Sequence, residues 1–442
     1  MNPFSLLNQL DSVIPTAIIG TVLETSGTTV RVSGFPAPVG ALAEIQLGDR
    51  SVLPAEVIGF RDEKAILYPL QSTHGIRRGD RVRMVQTAPW ITIGEGMLGK
   101  VLDARGHVLE ESVEPISSAA LLNTERIPFH REAPKAFQRP RITQPISTGV
   151  RAIDALFTLG EGQRVGIFAG SGVGKSTLLG MIARYTNADV IVIGLVGERG
   201  REVNDFLERD LGPEGRKRSV VVVATGDESP ILRVRASQTA TAVAEYFRDR
   251  GKNVLLLMDS LTRFAMAQRE IGLALGEPPA RNGYPPSVFA MLPALVERTG
   301  RTRKGSITAM YTVLVEGDDE NEPIADTVRG LLDGHIWLSR RLAESGHYPA
   351  IDVPSSISRL MNDICEKSHV QAALQIRSMI SLWREFKDLL AINAYKRGTN
   401  PALDEALEKK QMILNFLRQA TDESSTLENA VREMQRILGN TD

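Results

Sequence analysis

The chain has 442 residues, with 52 Lys plus Arg against 53 Asp plus Glu, a formal net charge of −1, and charges at 24% of positions. That balance excludes a nucleic-acid-coating protein or a polyanionic tail, and a hydrophobic fraction of 42% is ordinary for a globular chain. At roughly 100–200 residues per domain the length predicts two to four domains; the single cysteine, Cys365, excludes an internal disulfide and points to the reducing cytoplasm.

The N-terminus, Met1-Asn2-Pro3-Phe4-Ser5-Leu6-Leu7, lacks a basic region ahead of a long apolar run, so no secretory signal is expected and Met1 is the expected start of the mature protein. Phe4, Leu7, Leu10 and Ile14 then recur at helical spacing, which fits either a fraying tail or an amphipathic docking segment for a partner. From Thr16 to Val85 short β-branched runs alternate with Gly, Pro and Asp: Ile18 to Val22, Thr28 to Val32, Ala43 to Ile45, Ala55 to Ile58, Ala65 to Leu67 and Arg81 to Met84. Strands this short, with no helical stretch between them, predict a small antiparallel β-barrel. Its few aromatics (Phe35, Phe60, Tyr68, and Trp90 just beyond) and lack of basic excess argue against a nucleic-acid motor.

From about Gly94 to Ile357 apolar runs alternate with helical stretches. Arg164 to Ala169, Asp189 to Val196, Ser219 to Thr225, Asn253 to Asp259, Ser306 to Val315 and Gly334 to Ser339 are nearly continuous hydrophobic segments, as expected of a parallel sheet covered on both faces. All are far shorter than the roughly 20 apolar residues of a bilayer span, so any membrane association is expected to be peripheral. After Arg359 a helical period takes over, with apolar positions at Val370, Leu374 and Ile376, at Leu382, Phe386, Leu389 and Leu390, at Met412, Phe416 and Leu417, and at Leu427, Val431, Met434 and Leu438. The expected organisation is an N-terminal segment plus barrel over 1–92, a nucleotide-binding α/β core over 93–359 and a helical domain over 360–442.

Chemistry enters at Ala169-Gly170-Ser171-Gly172-Val173-Gly174-Lys175-Ser176, between the strand ending at Ala169 and the helical run from Thr177 to Tyr185. This is a phosphate-binding loop in its strand–loop–helix context, although Ala169 stands where the first Gly is usual. Backbone N–H groups curl around phosphate oxygens, Lys175 reaches the β and γ phosphates, and the Ser176 hydroxyl can ligate Mg²⁺. Asp259, closing Val254-Leu255-Leu256-Leu257-Met258, suits a carboxylate that holds Mg²⁺ beside the loop, where the alternative is a turn-making Asp. Glu198, past the end of the second core strand, is a candidate to activate water. On composition alone, Val196-Gly197-Glu198-Arg199-Gly200-Arg201-Glu202 fits a solvated charged loop equally well.

Read together, GIFAGSGVGKST (166–177), GERGREV (197–203), MDSLTR (258–263), YPPSV (284–288), GSITAMY (305–311), GHIWLSR (334–340), GHYPAIDVPSSISR (346–359) and AYKRG (394–398) resemble the flagellar and type III secretion export ATPases, relatives of the rotary ATP synthase subunits. The resemblance covers nearly the whole chain and implies a P-loop RecA-like core between a β-barrel and a helical C-terminal domain. It implies Glu198 as the water-activating carboxylate, Arg199 and Arg263 as neighbours of the phosphates, and the loop from Gly170 to Thr177 as the phosphate cradle. Tyr348 aligns with the tyrosine that stacks on adenine, the alternative being a buried core aromatic. Arg359 matches the arginine finger that enters the neighbouring subunit's site. Because one chain carries both Glu198 and Arg359, a homo-oligomer, six in this family, can complete every site with its own copies.

The resemblance also implies MgATP as substrate, a stator-like regulatory partner at the N-terminal segment, chaperones and export substrates at the C-terminal domain, a membrane export gate reached peripherally from the cytoplasm, and no nucleic acid. No acidic rotor-pushing segment occurs in the C-terminal region, and GERGREV, VEGDDENEP and GHIWLSRRLAE favour an export ATPase over a rotary synthase subunit. The stretches 170–189 and 263–279 favour the flagellar branch. Charges such as Glu405, Glu408, Lys409 and Lys410 fit an ordinary solvated helix face. Arg298, Arg301, Arg303 and Lys304 read as a flexible surface loop, or else as lining of a pore or subunit interface. None of the 6 histidines forms a ligand pair, so no metal beyond nucleotide Mg²⁺ is expected.

Overall fold

The computed structural model describes residues 17–109, 124–315 and 322–439. The N-terminal amphipathic segment and most of VEGDDENEP lie outside the described residues.

Strands Ile19–Ser26, Thr29–Ser33, Leu42–Gln46, Val52–Arg61, Lys64–Pro69 and Arg81–Gln86 close into an antiparallel barrel. Alternation drives the closure. Along Arg81–Gln86 Val82 and Met84 point inward and Arg81 and Arg83 outward, and the inward set packs with Val30, Val32, Ile45, Val57 and Leu67 into its own core. At Gly20 a Cβ would lie 2.6 Å from Val32 Cγ1, so the strand can cross its neighbour there only as glycine. The hairpin between Arg61 and Lys64 puts Asp62 and Glu63 at φ of 49° and 60°, the double left-handed geometry a two-residue turn requires. Glu56 ties the barrel to the core through a buried ion pair with Arg235, whose guanidinium also stacks over Phe129 at 4.6 Å.

The core sheet runs, from one edge, Ile357–Ser358, Gly334–Leu338, Arg164–Ala169, Ser306–Leu314, Asn253–Asp259, Val190–Glu198, Ser219–Thr225 and Val101–Leu102. All pairings are parallel except that of Ile357–Ser358. The long apolar runs form the strands expected of them. Val101–Leu102 and Ile357–Ser358 are two-residue edge strands, too short to leave a periodic trace in sequence.

The basic cluster is not the flexible loop that its composition suggested. Arg298 is buried and donates to both carboxylate oxygens of Glu245 (3.0 and 2.8 Å) and to the Phe129 carbonyl (2.8 Å). Gly300–Arg301 pairs antiparallel with Ser306–Ile307. Only Arg303 and Lys304, at the tip, are exposed.

Beyond the core lie helices Lys367–Glu385, Pro401–Leu417 and Leu427–Leu438. Their packed face differs in detail from the apolar period. His369, Ala372, Ala373, Ile376, Met379 and Trp383 are buried, whereas Leu374 is 57% exposed and Met412 is also on the outside. These helices dock on the short helix Arg151–Leu156 through a polar clasp. Arg151 donates to the carbonyls of Phe416 (3.1 Å) and Arg418 (2.5 Å) and pairs with Glu423. Gln419 accepts from the Arg151 N–H (2.8 Å) and donates to the Gly149 carbonyl (2.8 Å). Among the described residues no helix is long and apolar enough to cross a membrane.

Removing the Arg151 guanidinium orphans two helix-end carbonyls, and hydrogen bonds to charged groups contribute about 1.5–3 kcal/mol each. Arg151→Met is expected to cost about 2–4 kcal/mol in urea unfolding. The C-terminal helices should exchange amide hydrogens faster than the core; uniform exchange across the chain would show that the clasp does not govern docking.

Candidate nucleotide site

The parallel strands deliver their C-terminal ends to one edge of the sheet, where ligand-facing groups gather in doubly wound folds. Strand Arg164–Ala169 ends in the loop from Gly170 to Gly174, and helix Lys175–Tyr185 begins directly after it. Gly172 and Gly174 have φ of 79° and 89°, the left-handed backbone that lets such a loop turn back on itself and line an anion site with N–H groups. Val173 is buried and anchors the loop, Ser171 is exposed, and Ser176 and Thr177 are half-buried at the helix start.

Lys175 Nζ lies 2.5 Å from Asp259 Oδ1 and 3.5 Å from Glu198 Oε1. Burial works against its charge, but Asp259 and then Glu198 outweigh it and hold the lysine above its ordinary pKa. Asp259 is 3% exposed at the end of its strand. Glu198 ends Val190–Glu198, and its pKa is pushed up to about 7, first by burial and then by the charge of Asp259, with Lys175 opposing. The fold therefore brings two carboxylates from two strand ends and one cation from the start of the helix after a third strand to one point.

Tyr348 approaches from a separate loop. It is 45% exposed, which sets aside a core role, and its ring would contact a Cβ at Gly174 at 3.2 Å. Arg263 lies under the Glu198 loop, its Cβ 3.0 Å from where a Cβ of Gly197 would stand, and its buried Nε has no hydrogen-bond partner. Arg199 does not join the cluster in this chain: its side chain is 80% exposed, 3.6 Å from Glu202.

Arg359 is at the opposite edge. Its N–H donates to the Asp333 carbonyl (3.0 Å), and Asp333 precedes the strand Gly334–Leu338, which runs parallel to Arg164–Ala169 with His335 beside Gly166. At about 3.3 Å per residue, five residue steps along that strand put Arg359 about 17 Å from the start of the phosphate loop.

One residue of the site escaped sequence reasoning. Thr312 Oγ1 donates to Asp259 Oδ1 at 2.7 Å from the adjacent strand, where Tyr311 pairs with Met258. A β-branched hydroxyl at the carboxyl end of a core strand was the available signal, but it is informative only once the strand order is known.

A glycine-rich loop before a helix, a buried lysine on two strand-end carboxylates and a mostly parallel sheet define the class: a P-loop nucleoside-triphosphate-binding protein. Family profiles match in three consecutive stretches: the ATP synthase alpha/beta family β-barrel domain over 16–85, its nucleotide-binding domain over 149–358, and the type III secretion EscN ATPase C-terminal domain over 365–436. The chain is 50% identical over 423 residues to the flagellum-specific ATP synthase of Bacillus subtilis, covering 95% of both. It is 48% identical over 419 residues to the type 3 secretion system ATPase of Xanthomonas euvesicatoria, covering 95% of this chain and 93% of that one. The assembled ATPase EscN of enteropathogenic E. coli superposes with a TM-score of 0.88 at 42% identity, over 95% of this chain and all of that one. The chain belongs to the ATP synthase alpha/beta family, among its flagellar and type III secretion export ATPases, as its motifs implied.

Thr312→Val should let Asp259 swing while leaving the packing intact. ATP turnover is expected to fall about ten- to a hundred-fold, as when a partner that orients a metal-binding carboxylate is removed, with Thr312→Ser close to wild type. Equal turnover in the valine variant would remove Thr312 from the site.

Proposed function

We propose that this chain hydrolyses MgATP as a homo-oligomeric ring, a hexamer by family resemblance, and so powers protein export by a flagellar-type or injectisome-type apparatus. The observation that carries the catalytic part is the convergence of Lys175, Glu198 and Asp259, with Lys175 at 3.5 Å and 2.5 Å from the two carboxylates. Lys175 binds the β and γ phosphates, Gly170 to Thr177 supply the cradle, and Tyr348 stacks on the adenine at the mouth of the loop. Glu198, beside the lysine that holds the γ phosphate, orients the attacking water and takes its proton. Arg263, with its free buried Nε beneath that loop, and Arg199, exposed at its surface, are the further cations for the phosphates.

The donors also fit a magnesium ion. Ser176 and Asp259 offer hard oxygens, a hydroxyl and a carboxylate, beside the phosphate cradle, as Mg²⁺ prefers. Bound there with the nucleotide, the ion would neutralise charge developing on the phosphate oxygens.

Arg359 points to the ring. Held about 17 Å from its own phosphate loop along the strand, it can serve as an arginine finger only in a neighbour's site. Assembly is therefore part of the active centre. The related EscN has been solved both assembled and with its central stalk EscO, which supports a ring worked on by partners. On this reading the N-terminal segment takes a stator-like regulator, and the helical C-terminal domain receives chaperones and export substrates. The chain works in the cytoplasm, brought to the membrane export gate by those contacts. We place it on the flagellar branch from the stretches 170–189 and 263–279.

Glu198→Gln should bind ATP normally and lose about 10²–10⁴-fold in turnover. Arg359→Ala should lose about 10³–10⁵-fold even at concentrations where rings form. Mixed together, the two variants should regain activity, because an interface between them can combine an intact Glu198 with an intact Arg359. A mixture as inactive as its components would refute the in-trans site. Deletion of the gene should abolish swimming motility; a motile deletion strain that fails to secrete virulence proteins would move the chain to the injectisome branch.

A further inference from the structure

Phe137 is 97% exposed, the most exposed large apolar side chain among the described residues. It does not sit on a frayed strand. It stands at the centre of a 3₁₀ turn, Ala136–Gln138, whose backbone is held from both sides. The Lys135 N–H donates to Gln138 Oε1 (2.9 Å), and Arg139 clamps the far side by donating to the carbonyls of Pro134 (3.1 Å) and Thr299 (2.7 Å). A rigid turn that displays a phenyl ring to water gains nothing from it within this chain, and a buried aromatic anchor is what interface centres use.

The polar network around the turn shows which face it belongs to. Arg139 pairs with Glu297 (3.2 Å), Glu297 with Arg164 (2.5 Å), and Arg164 with Asp333 (3.2 Å), whose carbonyl accepts from Arg359. A second link, Arg141 to Asp363 (3.2 Å), joins the same segment to the chain just past Arg359. Phe137 and Arg359 therefore ride on one braced surface, at the N-terminal ends of the core strands.

From this we propose that Phe137 is the apolar anchor of the contact between copies of this chain, seated against the neighbour's face at the C-terminal strand ends. The inference rests on Arg359 acting in a neighbour's site. If Arg359 reaches that site, the surface braced to it must meet the face around the neighbour's phosphate loop. Lys135, Arg303 and Lys304 flank the Phe137 turn beside the acids Glu132 and Asp249, while the opposite face carries the exposed Asp227 and the ion pairs of Arg199 with Glu202 and of Arg201 with Asp205, so each face offers charges of both signs around the apolar anchor. The two faces are different, so the contact is head-to-tail, the kind from which rings are built.

Phe137→Ala tests this directly, since the ring makes no contact that folding needs and the melting temperature should stay at the wild-type value. The protein concentration at half-maximal specific ATPase activity, and the concentration at which rings appear by mass photometry with MgADP and aluminium fluoride, should rise about 10- to 100-fold. Turnover per assembled ring should be unchanged. Benzoylphenylalanine at position 137 should photo-crosslink to a second copy, in the segment 199–205 or around Asp227. A midpoint within two-fold of wild type, or crosslinks confined to the same chain, would overturn the proposal. Arg359→Ala separates the two ideas: it should assemble at the wild-type concentration and turn over slowly. Normal turnover in that variant would remove the finger reading, whatever Phe137→Ala shows.

Discussion

The structure depends on the polarity of its parallel sheet. Because all the core strands but the short edge strand Ile357–Ser358 point the same way, their carboxyl ends gather at the edge that holds the phosphate loop, and their amino ends gather at the other. Lys175, Glu198 and Asp259 meet at the first edge; Arg359 and the chain of Arg164, Glu297 and Arg139 lie at the second. The strand Arg164–Ala169 joins the two edges, and neighbours in register on either side fix its position. A single copy keeps Arg359 at the edge opposite Lys175, Glu198 and Asp259.

Buried charges hold this arrangement, each matched by a partner from a distant part of the chain. Glu56 of the barrel meets Arg235, Glu245 meets Arg298, and Arg151 binds the helix ends of the C-terminal region. Such pairs add little net stability over well-packed apolar residues, but removing one partner strands a charge. Their effect is to allow one docking arrangement and penalise others. Asp154, by contrast, is satisfied locally, taking hydrogen bonds from Ser147, Thr148 and Gly149 at the loop that precedes the Arg151 helix.

Much of this was legible in the chain. The long apolar runs marked the core strands because two covered faces require continuous hydrophobicity, and short β-branched runs broken by Gly, Pro and Asp marked the barrel because its strands are short and joined by turns. The phosphate loop was legible because its chemistry lies within consecutive residues. Leu374 shows the limit on the helical side: an apolar residue at a fitting spacing faces water, because which stripe of a helix is buried depends on what docks against it. Arg298 shows the limit for charge, since its partner Glu245 is far away in sequence and no local pattern announces the pair.

The sequence by itself determined the local chemistry, the strand and helix periods and the family text, all of which are written in near neighbours along the chain. Only the tertiary structure decided that Glu198 and Asp259 share one lysine, that Thr312 donates to Asp259, that Arg199 points away in a single copy, and that Arg359 stands at the edge opposite the phosphate loop. Those facts follow from strand order and direction. Both are set by long-range packing, which brings together residues that no spacing in the sequence connects.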